Sequence, residues 1–206
     1  MSEWLKKNKK IWIPVLAVIV CAVIALTLVL ILNNGYAGAK SAILTVETPQ
    51  KVSRNTTESI IIDVTVSSLG EALYPAASMS ISFDSARLEF MGIREGNVFV
   101  NSDGEKGKIA LPEWSYNVDA CNESGCINVM YLDMTGGENA FSNDLLAKED
   151  NVVLRLEFRL RGSVRSGDIC DLIIEDAVFA ASDETLSLAT SKGTLKAKNG
   201  KIVIGE

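Results

Sequence analysis

The fold class this sequence predicts is all-β: an antiparallel β-sandwich of about nine strands in a jelly-roll-like arrangement, preceded by one N-terminal transmembrane helix. Three observations predict it. Apolar and polar residues alternate with period two in segment after segment beyond residue 41. Turn-forming pairs such as Asp103-Gly104, Gly136-Gly137 and Asn199-Gly200 punctuate those segments. Residues 11–32 carry no charge at all.

The apolar run is 22 residues long. As a helix it would extend about 33 Å, enough for a hydrocarbon core of about 30 Å. Pro14 falls in its first turn, where a missing N–H costs little. Residues 1–10 hold four lysines and one glutamate. The positive-inside rule makes them a cytoplasmic tail and puts the rest of the chain outside. The expected address is therefore the cell membrane, single-pass, with the C-terminal domain extracellular. A cleavable signal peptide is the competing reading, because Ala37-Gly38-Ala39 fits an A-x-A site. Cleavage after Ala39 would release the domain. The expected divisions are 1–10 tail, 11–32 signal-anchor helix, 33–41 linker and 42–206 sandwich.

Within 42–206 the strands follow in order. Residues 42–47 open the domain. Ile60, Ile62, Val64 and Val66 share one face, with Asp63 and Thr65 opposite. Met79, Ile81 and Phe83 share another, opposite Ser78, Ser80 and Ser82. Further strands are expected at 88–93, 109–116 and 127–133. Then Val152, Leu154, Leu156, Phe158 and Leu160 face the core, while Val153, Arg155, Glu157, Arg159 and Arg161 face water. Strands at 169–179, 194–197 and 201–204 close the domain, the last two joined at Asn199-Gly200 as a tight hairpin. No segment holds a helical period over three turns; 137–150 reads as a loop with one turn of helix. Alternation on single faces favours two sheets over one core, with a barrel as the alternative.

Composition excludes several functions. The formal charge is −6, and −9 beyond residue 10. Such a domain repels phosphate, so no nucleic-acid partner is expected. The chain has no histidine. Ser-His-Asp and Cys-His catalysis, HExxH and Cys/His zinc sites are thereby absent. Nothing singles out a carboxylate pair for glycoside hydrolysis, and the chain is not expected to be an enzyme. Acidic loops (Asp144, Glu149, Asp150; Glu175, Asp176; Asp183, Glu184) lack the D-x-[DN]-x-[DN]-G calcium spacing and read as scattered surface acids. No cofactor is expected. Cys121 and Cys126 flank Asn-Glu-Ser-Gly, where an oxidising exterior permits a small disulfide; two reduced thiols are the other reading. Cys170 alternates with Leu172 and Ile174 as core. Asn55-Thr56-Thr57 and Asn122-Glu123-Ser124 match the N-glycosylation pattern.

Three stretches carry a family resemblance. The first runs Ser80-Ile81-Ser82-Phe83-Asp84-Ser85-Ala86-Arg87-Leu88, a strand, an aromatic-Asp turn and the leucine that starts the next strand. The second is the apolar strand from Ile127 running into Asp133-Met134-Thr135-Gly136-Gly137. The third is 151–160 followed by a Ser/Gly turn and 169–179, with Asn199-Gly200-Lys201-Ile202-Val203-Ile204 closing the chain. In this order they resemble a cohesin domain over about residues 42–205. The resemblance implies a nine-strand sandwich related to bacterial carbohydrate-binding modules. It also implies a non-catalytic role with a protein partner, a dockerin-bearing one linked to polysaccharide breakdown. In cellulosomal cohesins the strand before the aromatic-Asp turn carries polar residues, often Asn and Asp, that contact dockerin. The matching positions here are Ala76 and Ser78, so that pair is mostly lost.

Two candidate surfaces follow. Ala76, Ser78, Ser80 and Ser82 would form a small, flat polar face. Trp114 and Tyr116, two apart, would share a strand face. Exposed, they suit stacking on a polysaccharide or anchoring a protein; buried, they are core. Protein capture is the leading expectation. Direct carbohydrate binding by the aromatic pair and a structural role in the cell envelope are its rivals.

Overall fold

A computed structural model describes residues 41–49, 51–102, 109–136 and 139–206. In chain order the strands are β1 (Ala42–Val46), β2 (Val52–Ser53), β3 (Ile60–Val66), β4 (Ala76–Phe83), β5 (Leu88–Glu95), β6 (Val100–Ser102) and β7 (Ile109–Ala110), then β8 (Cys126–Leu132), β9 (Asn139–Ala140), β10 (Val152–Leu160), β11 (Ile169–Ala180), β12 (Leu188–Ala189), β13 (Leu195–Lys198) and β14 (Gly200–Gly205). One α-helix, α1 (Val118–Ser124), lies between β7 and β8. The expected tail, membrane helix and all but the last residue of the linker lie outside the described residues, as does Asp103-Gly104. No helix among the described residues is long and apolar enough to cross a membrane.

One sheet has the order β13-β1-β3-β10-β5, the other β2-β14-β11-β4-β8, with β12 on β11; a small sheet β7-β6-β9 stands apart. Alternation drives this arrangement. Each long strand turns every second side chain inward, and neither sheet can bury that row without the other. Leu44, Ile62, Leu154, Leu156 and Phe158 from the first sheet meet Met79, Ile81, Ile127, Leu172 and Phe179 from the second, all fully buried. Phe158 spans the two layers, with ring centroids 5.5 Å from Phe83 and 5.8 Å from Phe90.

The aromatic-Asp turn is a structural staple. Asp84 Oδ1 accepts the Ala86 N–H at 3.1 Å and its carbonyl accepts the Leu88 N–H at 2.8 Å. Arg87 pairs with Asp84 and, at 3.1 Å, with Asp168 before β11. The bond from the Arg165 N–H, reinforced by Arg87, holds the Asp168 carboxyl below its usual range.

Several expectations are corrected. The two last strands do not form a hairpin. β13 pairs with β1, β14 with β11, so Asn199-Gly200 carries the chain from one sheet to the other. Gly200 lies so close to Val46 that a Cβ would come within 2.7 Å of it, and Asn199 Oδ1 accepts the Ile174 N–H. Pairing is not wholly antiparallel either: β1–β13 and β2–β14 are parallel. The strand expected over 109–116 is cut short. β7 ends at Ala110, Pro112 supplies no N–H, and only Ser115 bridges onward, to Met130. Val153, expected in water, is buried, beside a register shift between Val152 and Leu154. Helix α1 was not expected. Its seven residues are too few for a readable period, but Asn117 caps its start by accepting the Ala120 N–H and Gly125, at φ 68°, ends it.

Candidate partner-binding face

The outward faces of β8, β4 and β11 form one surface. On β4, Ala77, Met79, Ile81 and Phe83 point into the core, which leaves Ala76, Ser78, Ser80 and Ser82 outside. Register sets their neighbours. Ala76, Ser78 and Ser80 lie beside Leu132, Met130 and Asn128 of β8. On the other side they lie beside Ala180, Val178 and Asp176 of β11. The three serines expected as candidates are thus brought together in the middle strand.

Their hydroxyls differ. Ser80 donates to Asn128 Oδ1 at 2.7 Å, and Ser82 donates to Glu175 Oε1 at 2.7 Å. Ser78 has no such bond among the described residues and lines a shallow pocket of about 510 Å³ with Ser80, Ser115, Tyr116, Asn128 and Met130. Around this strip stand side chains that the sequence reading missed. Met130 is 52% exposed, Leu132 54% and Ile173 38%. In β8 both the inward and outward rows are largely apolar, so period two could not tell Met130 and Leu132 from core. In β11 a register shift between Ile174 and Asp176 turns both Glu175 and Asp176 outward. That shift breaks the parity on which a sequence reading depends.

Trp114 and Tyr116 do not make an exposed aromatic line. Trp114 is half-buried, its ring 6.1 Å from Tyr131 and 6.0 Å from Phe141, and its indole N–H is buried without a partner. Tyr116 is 40% exposed, packs on Phe90 at 6.0 Å and accepts the Ile93 N–H through its hydroxyl. Among the described residues it is the one aromatic with a large exposed surface, so the geometry lacks the platform that sugar stacking requires.

The disulfide considered between Cys121 and Cys126 is not formed; both are free. The intervening residues are the end of α1 and its cap rather than a tight loop. Cys121 is buried, while Cys126 lies on the outer side of β8 with Sγ 3.8 Å from Asn128 Oδ1. Burial, then the neighbouring Cys121, pushes the Cys126 thiol up. Cys170 is core as expected, and burial pushes its thiol up to about 11. Among the described residues no three His, Cys, Asp or Glu side chains gather so as to hold a metal ion.

A family model for the cohesin domain matches residues 46–204. The chain belongs to the cohesin family. Solved structures agree in fold. The sixth cohesin of Acetivibrio cellulolyticus scaffoldin B, crystallised with a mutant Cel5 dockerin, is 20% identical at a TM-score of 0.57, over 80% of this chain and 99% of that one. The OlpA cohesin of a type I cohesin–dockerin complex from Clostridium thermocellum is 18% identical at 0.56, over 80% and 99%. A non-cellulosomal cohesin from the archaeon Archaeoglobus fulgidus is 14% identical at 0.50, over 81% and 92%. A search of curated proteins finds no match. The cohesin resemblance carried by the Phe83-Asp84 turn and the strands after it is therefore correct, and the sandwich with it.

Proposed function

We propose that this cohesin captures a dockerin-bearing protein on the outward face of β8, β4 and β11, and that it does so without catalysis. One observation carries the reading. The face keeps Met130, Leu132 and Ile173 in water around a strip of small side chains. Large apolar side chains gathered on one sheet face mark a surface that a partner covers. Similar cohesins solved as dockerin complexes support the choice of partner. The proposal extends to the rest of the chain. Residues 11–32 anchor it in the cell membrane with residues 42–206 outside, where a captured partner serves polysaccharide breakdown.

Calorimetry of the full chain in detergent against a panel of dockerin modules tests the binding. Saturable binding by at least one module is expected. Binding by none, with retention on insoluble polysaccharide instead, would overturn the reading. Protease added to intact cells tests the topology. It should digest residues 42–206 and spare the N-terminal tail; a protected domain refutes the anchor.

A further inference from the structure

The outward face of the other sheet changes character at its β1 end. Across β3, β10 and β5 its arginines and carboxylates pair. Beside β1 lies a hollow of about 320 Å³ that is finished differently. Its floor follows from strand parity. Leu44, Val46, Val64 and Val66 go to the core. Thr45 and Thr65, opposite each other by register, are left facing out, and Ser67 follows at the end of β3. Three short hydroxyl side chains thus line the floor. The Thr65 hydroxyl donates to Glu47 Oε1 at 3.0 Å, and Ser67 Oγ accepts the Ile43 N–H at 3.0 Å.

The wall is the segment before β10, and it is fixed from behind. Asn151, only 5% exposed, accepts the Ala147 N–H at 2.6 Å and donates to the Ala147 carbonyl at 3.1 Å. Its own carbonyl accepts the Val66 N–H at 2.9 Å. Asn97 donates to the Asp150 carbonyl at 2.7 Å, which holds Asp150 in the left-handed region at φ 59°. Aspartate enters that region more readily than most residues. A wall already ordered loses little freedom when a ligand arrives.

The charges around the hollow define the ligand. Lys148 lines it together with Glu47, Glu149 and Asp150, yet none of the four forms an ion pair among the described residues. A strong donor and strong acceptors are therefore held apart around one space. A simple cation there would meet Lys148, and a simple anion would meet the carboxylates. An apolar molecule would strip water from all four and replace it with nothing. Hydroxyl groups donate and accept equally well. A ring that carries several of them answers the lysine, the carboxylates and the hydroxyl floor together. The volume is at the low end of the roughly 300–1,000 Å³ of small-molecule sites, which suits the end of a sugar chain rather than its length.

We propose that this hollow is a sugar subsite that holds the end of a neutral polysaccharide chain by hydrogen bonds, without ring stacking. It lies on the sheet opposite β8, β4 and β11, so a protein partner and a glycan can be held at once. The inference does not depend on which protein is captured.

The test is saturation-transfer NMR and calorimetry of the full chain in a detergent without sugar head groups. The probes are neutral cello-, xylo- and manno-oligosaccharides, with oligogalacturonate as the acidic comparator. At least one neutral probe should bind, and oligogalacturonate should not. The double variant K148A/D150G removes a donor and an acceptor from the wall, and glycine suits the φ of 59° at that position. Thermal melting checks that it is folded. It should weaken sugar binding about tenfold or more, as loss of charged hydrogen-bond partners does, and leave dockerin binding unchanged. Ser78→Arg, on the opposite sheet, should leave sugar binding unchanged. Binding of no neutral probe, equal binding of oligogalacturonate, or full sugar binding by K148A/D150G overturns this inference while dockerin capture stands. Dockerin capture fails separately, if no dockerin module binds the wild-type chain.

Discussion

The two outer faces of the sandwich are built by the same alternation over the same core, yet they are finished differently. On the β3, β10 and β5 side the charges answer one another. Arg94 holds Glu157 through two bonds of 2.8 and 2.7 Å, and Arg155 reaches Asp63 at 3.0 Å and the Glu95 carbonyl at 2.6 Å. On the β8, β4 and β11 side there is no ion pair among the described residues, and apolar side chains stand in water. Period two decides which side chains leave the core. The kind of side chain that leaves then decides whether a face is finished for solvent or left open for a partner.

The largest effect should come from what the two faces share. Phe158→Ala removes a ring buried between the layers, against Phe83 and Phe90, and should cost about 3–5 kcal/mol in denaturant unfolding. Binding should be lost in step with folding. Arg159→Ala, on the exposed side of the same strand, should cost under about 0.5 kcal/mol. Equal costs would mean the two sides of β10 are not distinguished as described.

Next comes the contrast between the faces. Ser78→Arg puts a long cation on the floor of the candidate site, and Arg94→Ala alters only the ion-paired face. The first should weaken dockerin binding by about 2 kcal/mol or more with the melting temperature nearly unchanged; the second should leave binding as it was. If Arg94→Ala weakens binding and Ser78→Arg does not, the docking face is on the wrong sheet.

How much of this was legible depended on parity. Wherever one strand face was apolar and the other polar, as in 60–66, 76–83 and 154–160, the sequence placed both the strand and its inward row; at Val153 a register shift broke the pattern. The sequence also brought Ser78, Ser80 and Ser82 together correctly. Parity failed where both rows were apolar, which hid Met130 and Leu132. It failed again at the β11 shift, which hid the joint outward turn of Glu175 and Asp176. Trp114 was undecidable because Tyr131 and Phe141, which half-bury it, come from β8 and the segment after β9. Asn199-Gly200 misled for a different reason. The dipeptide suits any close backbone approach, and here the neighbour is Val46 in another strand rather than the hairpin's own return.

A smaller effect concerns the edges of the two sheets. The open edge of β5 is closed by a side chain. Asn122 of α1 accepts the Phe90 N–H at 2.9 Å and donates to the Phe90 carbonyl at 2.8 Å, in the place of a neighbouring strand. Its amide also donates to the Val118 carbonyl, so the glycosylation-like triplet is occupied by structure. Asn122→Ala should cost about 1–3 kcal/mol, the price of two unpaired backbone groups. It should also increase light scattering at high concentration, because a bared strand edge recruits other strands. Full stability and unchanged scattering would show that β5 needs no cover.

The smallest effect belongs to the ion-paired face itself and is read through pH. Bonds from Arg94 and Ser59, aided by the charge of Arg94, lower the Glu157 carboxyl from its ordinary 4.5 to about 2. A depressed carboxyl contributes stability above its unfolded value and loses it as pH falls through the folded one. Arg94 is 57% exposed, so solvent screens the pair and its worth is under about 1 kcal/mol. Glu157→Gln should therefore be slightly less stable than the wild type at neutral pH. The gap should hold down to about pH 4.5 and close between there and about pH 2. Raised salt should narrow the gap at neutral pH as well, because exposed pairs are screened. A gap that widens in acid would mean that folding raises the Glu157 carboxyl rather than lowering it, and that the charged face is less self-contained than its geometry indicates.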